Sequence, residues 1–93
     1  MIEKFWLVTQ ESNVDGEILF NVVPCKDFET AKREFEREIG MILGESHHFG
    51  GYTHAEREEM FEVEDDGDDH FYINDPDDDY YEDIHIEEKH ILY

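Results

Sequence analysis

Apolar and polar positions alternate at both ends of this chain, and between those ends they recur every three or four residues. From Ile2 to Gln10, Phe5, Leu7 and Thr9 fall on one side of an extended backbone, with Trp6 and Val8 on the other. The segment is rich in aromatic and β-branched residues and reads as a strand. The stretch ESNVDGE follows, and its Asp15-Gly16 pair is a strong signal for a tight turn between two apolar runs. Glu17 to Val23 then sets Ile18, Phe20 and Val22 against Leu19, Asn21 and Val23, which completes an antiparallel hairpin. Both of its faces are apolar, which predicts a central position in its sheet. Pro24 cannot donate to a ladder and is expected to end it.

Asp27 to Leu43 changes period. Phe28, Ala31, Phe35, Ile39 and Ile42 form one apolar stripe at spacings of three and four, as an amphipathic helix requires. Asp27 is the expected N-cap, Glu29 lies where the helix dipole favours an acid, and Gly44 is a natural stop. Lys32–Glu36 and Arg33–Arg37 are one attractive and one repulsive i,i+4 pair, so ion pairing adds little. The glycines of residues 44–54 predict a loop. Thr53 and Glu56 have the spacing of a capping box at the start of a short helix.

The last third returns to alternation. Met60 to Glu64 and Phe71 to Asn74 read as strands joined by a turn at Asp66-Gly67, and DPDDD then interrupts the pattern. Tyr81 to Glu88 reads as a final strand, with Ile84 and Ile86 on one face and His85 and Glu87 on the other. The predicted order is ββα(α)βββ. It implies an α+β fold, a small antiparallel sheet of about five strands with one main helix packed on one face. Trp6, Phe20, Phe28 and Phe35 are the expected core aromatics. The last strand is expected to present an exposed edge whose acids oppose pairing with another copy unless the strands are offset. The sequence leaves the oligomeric state open.

Charge changes this picture more than any motif does. The 93 residues suit a single domain, residues 1–93. They carry 27 Asp and Glu against 7 Lys and Arg, a net charge of −20. Solubility of a small domain asks for only about 2 to 8 charges. The excess is concentrated: residues 1–57 hold 11 acids and 6 bases, whereas residues 58–93 hold 16 acids and one base. So acidic a stretch would ordinarily be disordered, but aromatics make up 14% of the chain, and its apolar residues alternate as a half-buried strand requires. The acids are therefore expected on turns and on a solvent face. Nucleic acid and anionic membranes would be repelled. No run approaches the length of a membrane span, and the N-terminal apolar run is too short for a signal peptide. Cys25 is the only cysteine, which fits a reducing cytosol and a cytoplasmic protein.

Candidate chemistry is sparse. Neither acidic cluster satisfies a calcium-loop pattern: starting from Glu62, Ile73 falls where the bidentate acid belongs, and NDPDDD lacks the turn glycine. The six histidines lack the spacing of a helical zinc site, and Cys25 has no recognisable basic partner. No metal, cofactor or catalytic residue is expected, and the chain reads as non-enzymatic. Strand spacing places alternate acids about 6.6 Å apart on one face, whereas duplex DNA carries one charge per about 3.4 Å of each strand. Two or three acidic strands and their turns thus approach the charge density of a nucleic-acid backbone.

In size, acidity and mixed α/β pattern the chain resembles the small anti-restriction and anti-CRISPR proteins of phages and mobile elements. That resemblance implies an inhibitor without an active site. Asp65, Asp66, Asp68, Asp69, Asp75, Asp77, Asp78 and Asp79 would stand in for phosphates, helped by Tyr80 and Tyr81, with Glu82 and Asp83 beside them. The expected partner is a basic, nucleic-acid-binding protein. An immunity or antitoxin-like protein, an adaptor that docks on a basic partner, and an acidic domain without mimicry are the alternatives.

Overall fold

The computed structural model describes residues 2–92. Five strands and two helices follow in the order β1 (Ile2–Val14), β2 (Glu17–Cys25), α1 (Phe28–Glu45), α2 (His54–Met60), β3 (Glu62–Asp65), β4 (His70–Asp75) and β5 (Tyr80–Leu92). The fold is α+β, with an antiparallel sheet of strand order β2-β1-β5-β4-β3.

Local chemistry explains most of the boundaries. Asp15 and Gly16 both have positive φ, 52° and 88°, as a type I′ turn demands, so the hairpin closes in two residues and β1 runs on through ESNV. Asp27 accepts from the Thr30 amide at 2.7 Å and opens α1. Gly44 does not stop the helix, which continues to Glu45 before Ser46 caps it. At α2 the capping box forms in both directions between Thr53 and Glu56. Arg37 avoids Arg33 by turning to Glu34 and Glu38.

Register sorts the faces. Val8 pairs with Ile86 and Val23, and Phe71 pairs with Ile84, so these residues share the side covered by α1. Ala31, Phe35 and Ile42 of the helix join Val8, Phe71, Ile73, Ile84 and Ile86 in one core. Phe49 and Phe61 extend it, in edge-on contact at 5.0 Å between ring centres. Among the described residues, no helix covers the other face of the sheet.

Two expectations about position are corrected. The hairpin is not central: β2 is an outer strand, so Phe20 is 67% exposed and Ile18, Leu19 and Val22 are about half exposed. Being outermost also lets Pro24 sit inside β2, where its missing N–H costs no ladder bond. Conversely, β5 is no edge but the middle strand, flanked by β1 and β4. Of the expected core aromatics, Phe35 is buried and Trp6 packs partly against the core, whereas Phe20 and Phe28 stay exposed. Phe28 is the first residue of α1, ahead of the first buried position at Ala31.

Candidate functional site: the acidic half of the sheet

The acidic sequence folds because its own carboxylates organise its turns. Asp66 Oδ1 accepts the amides of Asp68, Asp69 and His70 at 3.0–3.1 Å. Asp65 accepts from Gly67 at 2.8 Å and Asp75 from Asp77 at 2.9 Å. These bonds are made to the charged form, so the Asp66 carboxyl is held far below the usual range, and Asp75 is lowered chiefly by the Asp77 amide. Asp69 is pushed the other way by its hydrogen bond with Asp66 and the repulsion between them. Lys32 reaches from α1 to the carbonyls of Gly67 and Asp68 and ties the first turn to the helix.

The two acidic turns lie at opposite ends of β4, a strand of six residues, and are therefore about 20 Å apart. Asp65, Asp66, Asp68 and Asp69 form one pole. Asp77, Asp78 and Asp79 form the other, where the Gly16 amide donates to the Asp79 carbonyl at 3.3 Å. That contact brings Asp15 and Glu17 into the second pole from sixty residues away. The Asp15-Gly16 turn was visible in the sequence, but nothing local showed which acids it would meet.

Four of the candidate residues face inward or sideways. Glu82 turns to the helix side and accepts from Gln10 at 2.9 Å and from Ser12. Asp75 meets His48 at 2.8 Å. Tyr80 stacks on His48, with ring centres 3.9 Å apart and planes 3° from parallel, and forms one wall of a cavity of about 170 Å³ beside Val14 and Phe49. Asp83 is on the open face but meets His70 at 2.9 Å.

The open face links the poles through residues the sequence had not singled out. Glu64, Tyr72, Asp83 and Glu11 lie side by side on β3, β4, β5 and β1. Glu11 and Asp83 are directly opposed like charges, an arrangement that costs stability. His70 beside Asp83 and the Tyr81 hydroxyl donating to Glu11 offset part of that cost. The hydrogen bond to Glu11 raises the Tyr81 hydroxyl to about 12. Folding therefore stabilises the neutral phenol: this contribution is complete below the ordinary tyrosine value of about 10 and disappears as pH rises through 12. Ultraviolet titration of tyrosinate should show Tyr81 as a late-ionising phenol, and Glu11→Gln should bring it back toward 10. A titration curve unchanged by that substitution would show that the contact does not persist in solution.

Among the described residues, no three His, Cys, Asp or Glu side chains are placed to hold a metal ion, and no helix is long and apolar enough to cross a membrane. Cys25 is buried, and its thiol is raised by that burial and by Glu34 and Asp27, the opposite of an activated nucleophile. No family model, curated protein or solved structure compared with this chain matches it.

Proposed function

We propose that this protein is a non-enzymatic acidic inhibitor that occupies the nucleic-acid site of a basic, DNA- or RNA-handling protein. One observation carries the reading. The molecule is 48 Å long and bears 27 carboxylates for a net charge of −20. Duplex DNA of that length carries about 28 charges. A cleft built to hold phosphates is attracted to either by the same long-range field. The carboxylates at the poles are held by turns whose hydrogen bonds they supply themselves, so fewer degrees of freedom are lost on docking than with a floppy acidic tail. Tyr72 and Tyr81 on the open face, 6.1 Å apart, offer aromatic contact between the poles.

The test is an affinity capture at low salt from the cells in which the protein occurs, followed by elution with duplex DNA. Mimicry predicts that captured proteins bind nucleic acid and are released by the duplex. A single captured partner that DNA does not displace would replace this reading with that of an immunity-like protein or an adaptor.

A further inference from the structure

Among the described residues, the outer strand β2 is a long exposed stretch that carries almost no charge. Between Glu17 and Lys26 there is no ionisable side chain except the buried Cys25 thiol, while the opposite edge, β3, is Glu-Val-Glu-Asp. Pro24 fixes how β2 is turned. A proline in a ladder must point its nitrogen away from the neighbouring strand. Alternate residues then point the same way, so Ile18, Phe20 and Val22 turn their N–H and C=O groups outward, while Leu19, Asn21 and Val23 bond to β1. An outer strand with free backbone groups and apolar side chains on both faces is a template for pairing with another strand. Natural edges are blunted by charge or by proline; here Pro24 blunts one end, and between Ile18 and Val23 neither is present.

We infer that β2 pairs with β2 of a second copy, antiparallel about a two-fold axis through Asn21, giving a continuous ten-stranded sheet. The register follows from the sequence of the strand. With Asn21 opposite its equivalent, Phe20 meets Val22 and Leu19 meets Val23 of the second copy, an apolar match throughout, and the new ladder ends where Ile18 meets Pro24, whose outward nitrogen faces the second copy with no N–H to donate. Centring on Phe20 instead would set Leu19 against Asn21. In the Asn21 register the outward N–H and C=O groups of Phe20 and Val22 also fall opposite one another, as an antiparallel ladder requires. In the same register Lys26 of each copy comes to the Asp15-Gly16-Glu17 turn of the other, which offsets the approach of Asp27 to Asp15. The β3 edge lies four strand spacings away, about 19 Å. That is more than two Debye lengths at physiological salt, so the acidic edges do not oppose the contact strongly. A basic partner has no reason to choose this edge over the acidic poles, whereas a second copy matches it residue by residue. The inference does not depend on what the acidic half binds.

Light scattering coupled to gel filtration at physiological salt should give twice the 11.2 kDa of the chain. Phe20→Lys combined with Val22→Lys should return the mass to 11.2 kDa with an unchanged circular dichroism spectrum, because it sets lysines against one another across the seam. The register has its own test. Asn21 and its equivalent form a non-hydrogen-bonded pair, with Cα atoms about 4.5 Å apart, within disulfide range. Asn21→Cys should therefore form a covalent dimer with oxidised glutathione, which takes up the two electrons and two protons. Leu19→Cys, with its equivalents offset by about 13 Å along the strands, should not. A monomer at all concentrations up to millimolar overturns the inference and leaves the edge to a strand of some other protein. A dimer that survives the double lysine variant, or that cross-links through Leu19→Cys and not Asn21→Cys, overturns it as well.

Discussion

Raising salt from 50 to 200 mM should weaken capture of the partner by at least about 10²-fold, because a protein that gives up six or more phosphate contacts loses about 10³-fold or more over the same range on DNA. Under the proposed function the fixed carboxylates take the place of phosphates but sit on a less densely charged body, so the dependence should be steep and somewhat shallower than the partner's own dependence for duplex DNA. The acids responsible can be separated by pole. Asp77→Asn, Asp78→Asn and Asp79→Asn together should reduce affinity on the order of 10²-fold, mainly through slower association. The one hydrogen bond from these residues to another turn, from the Gly16 amide to the Asp79 carbonyl, is made by the backbone and is kept in the Asn variants. Asp68→Asn with Asp69→Asn tests the other pole while sparing Asp66, whose three amide bonds hold that turn. All five substitutions remove like charges from a molecule at −20, so the variants should melt a few degrees higher than the parent, as the parent should in moderate salt. Surface plasmon resonance across a salt series, with melting curves on the same samples, reads both effects. Affinity independent of salt, or unchanged in both groups of variants, would place the contact surface outside the acidic poles and sink the proposed function.

Phe35→Ala should destabilise the fold by about 3–5 kcal/mol, the range for deleting a buried aromatic ring. Phe35 is 1% exposed and lies in the core formed by α1 with β1, β4 and β5. The loss is severe in this context. A domain of this size has roughly 5–15 kcal/mol in total, and here self-repulsion opposes compaction. The melting temperature should fall by more than about 15 °C, or the variant should be largely unfolded at low salt and recover on addition of salt. Phe20→Ala is the control. Phe20 is also expected in the core from its sequence, as an aromatic within an alternating strand, yet it is 67% exposed and should change stability by no more than about 0.5 kcal/mol. Urea denaturation of the two variants under conditions where the protein is monomeric separates them. Equal losses would mean that β2 is packed against something within its own chain.

The contrast between Phe35 and Phe20 shows where sequence reasoning reached and where it stopped. The stripe containing Phe35 has a period of 3.6, and a helix with one apolar side must bury it, so location followed from spacing. Phe20 belongs to a strand apolar on both faces. That pattern is shared by a central strand and by an outer strand awaiting a partner, and the sequence of one chain does not distinguish them. The same ambiguity placed the last strand wrongly. The acids of Tyr81–Glu88 read as an exposed edge, but they project from one face of a strand whose backbone is paired on both sides. Ile84 and Ile86 already carried the opposite signal. In the acidic half, the turns at Asp66-Gly67 and after Asp75 were legible from residue type. Their separation along β4 was legible too, once a strand was granted between them. The gathering of Glu11, Asp15 and Glu17 with the acids of β5 and its turn was not, because it depends on β1 pairing with β5 across seventy residues of chain.

By itself the sequence determined the identity of the local elements, since apolar period, caps and turn residues act within a few positions: the helix from Phe28, the capping box at Thr53, the two-residue turn at Asp15-Gly16, and the folding of a segment that composition alone would call disordered. It also determined the net charge. Strand order was decided only by tertiary packing. Order chose which apolar strand stays open, which acids become neighbours, and which of them, like Glu82, are turned inward and spent on internal hydrogen bonds. The physical reason is that strand pairing joins residues distant in the chain, and its outcome depends on how the whole sheet closes over one helix, a quantity no short window of sequence contains.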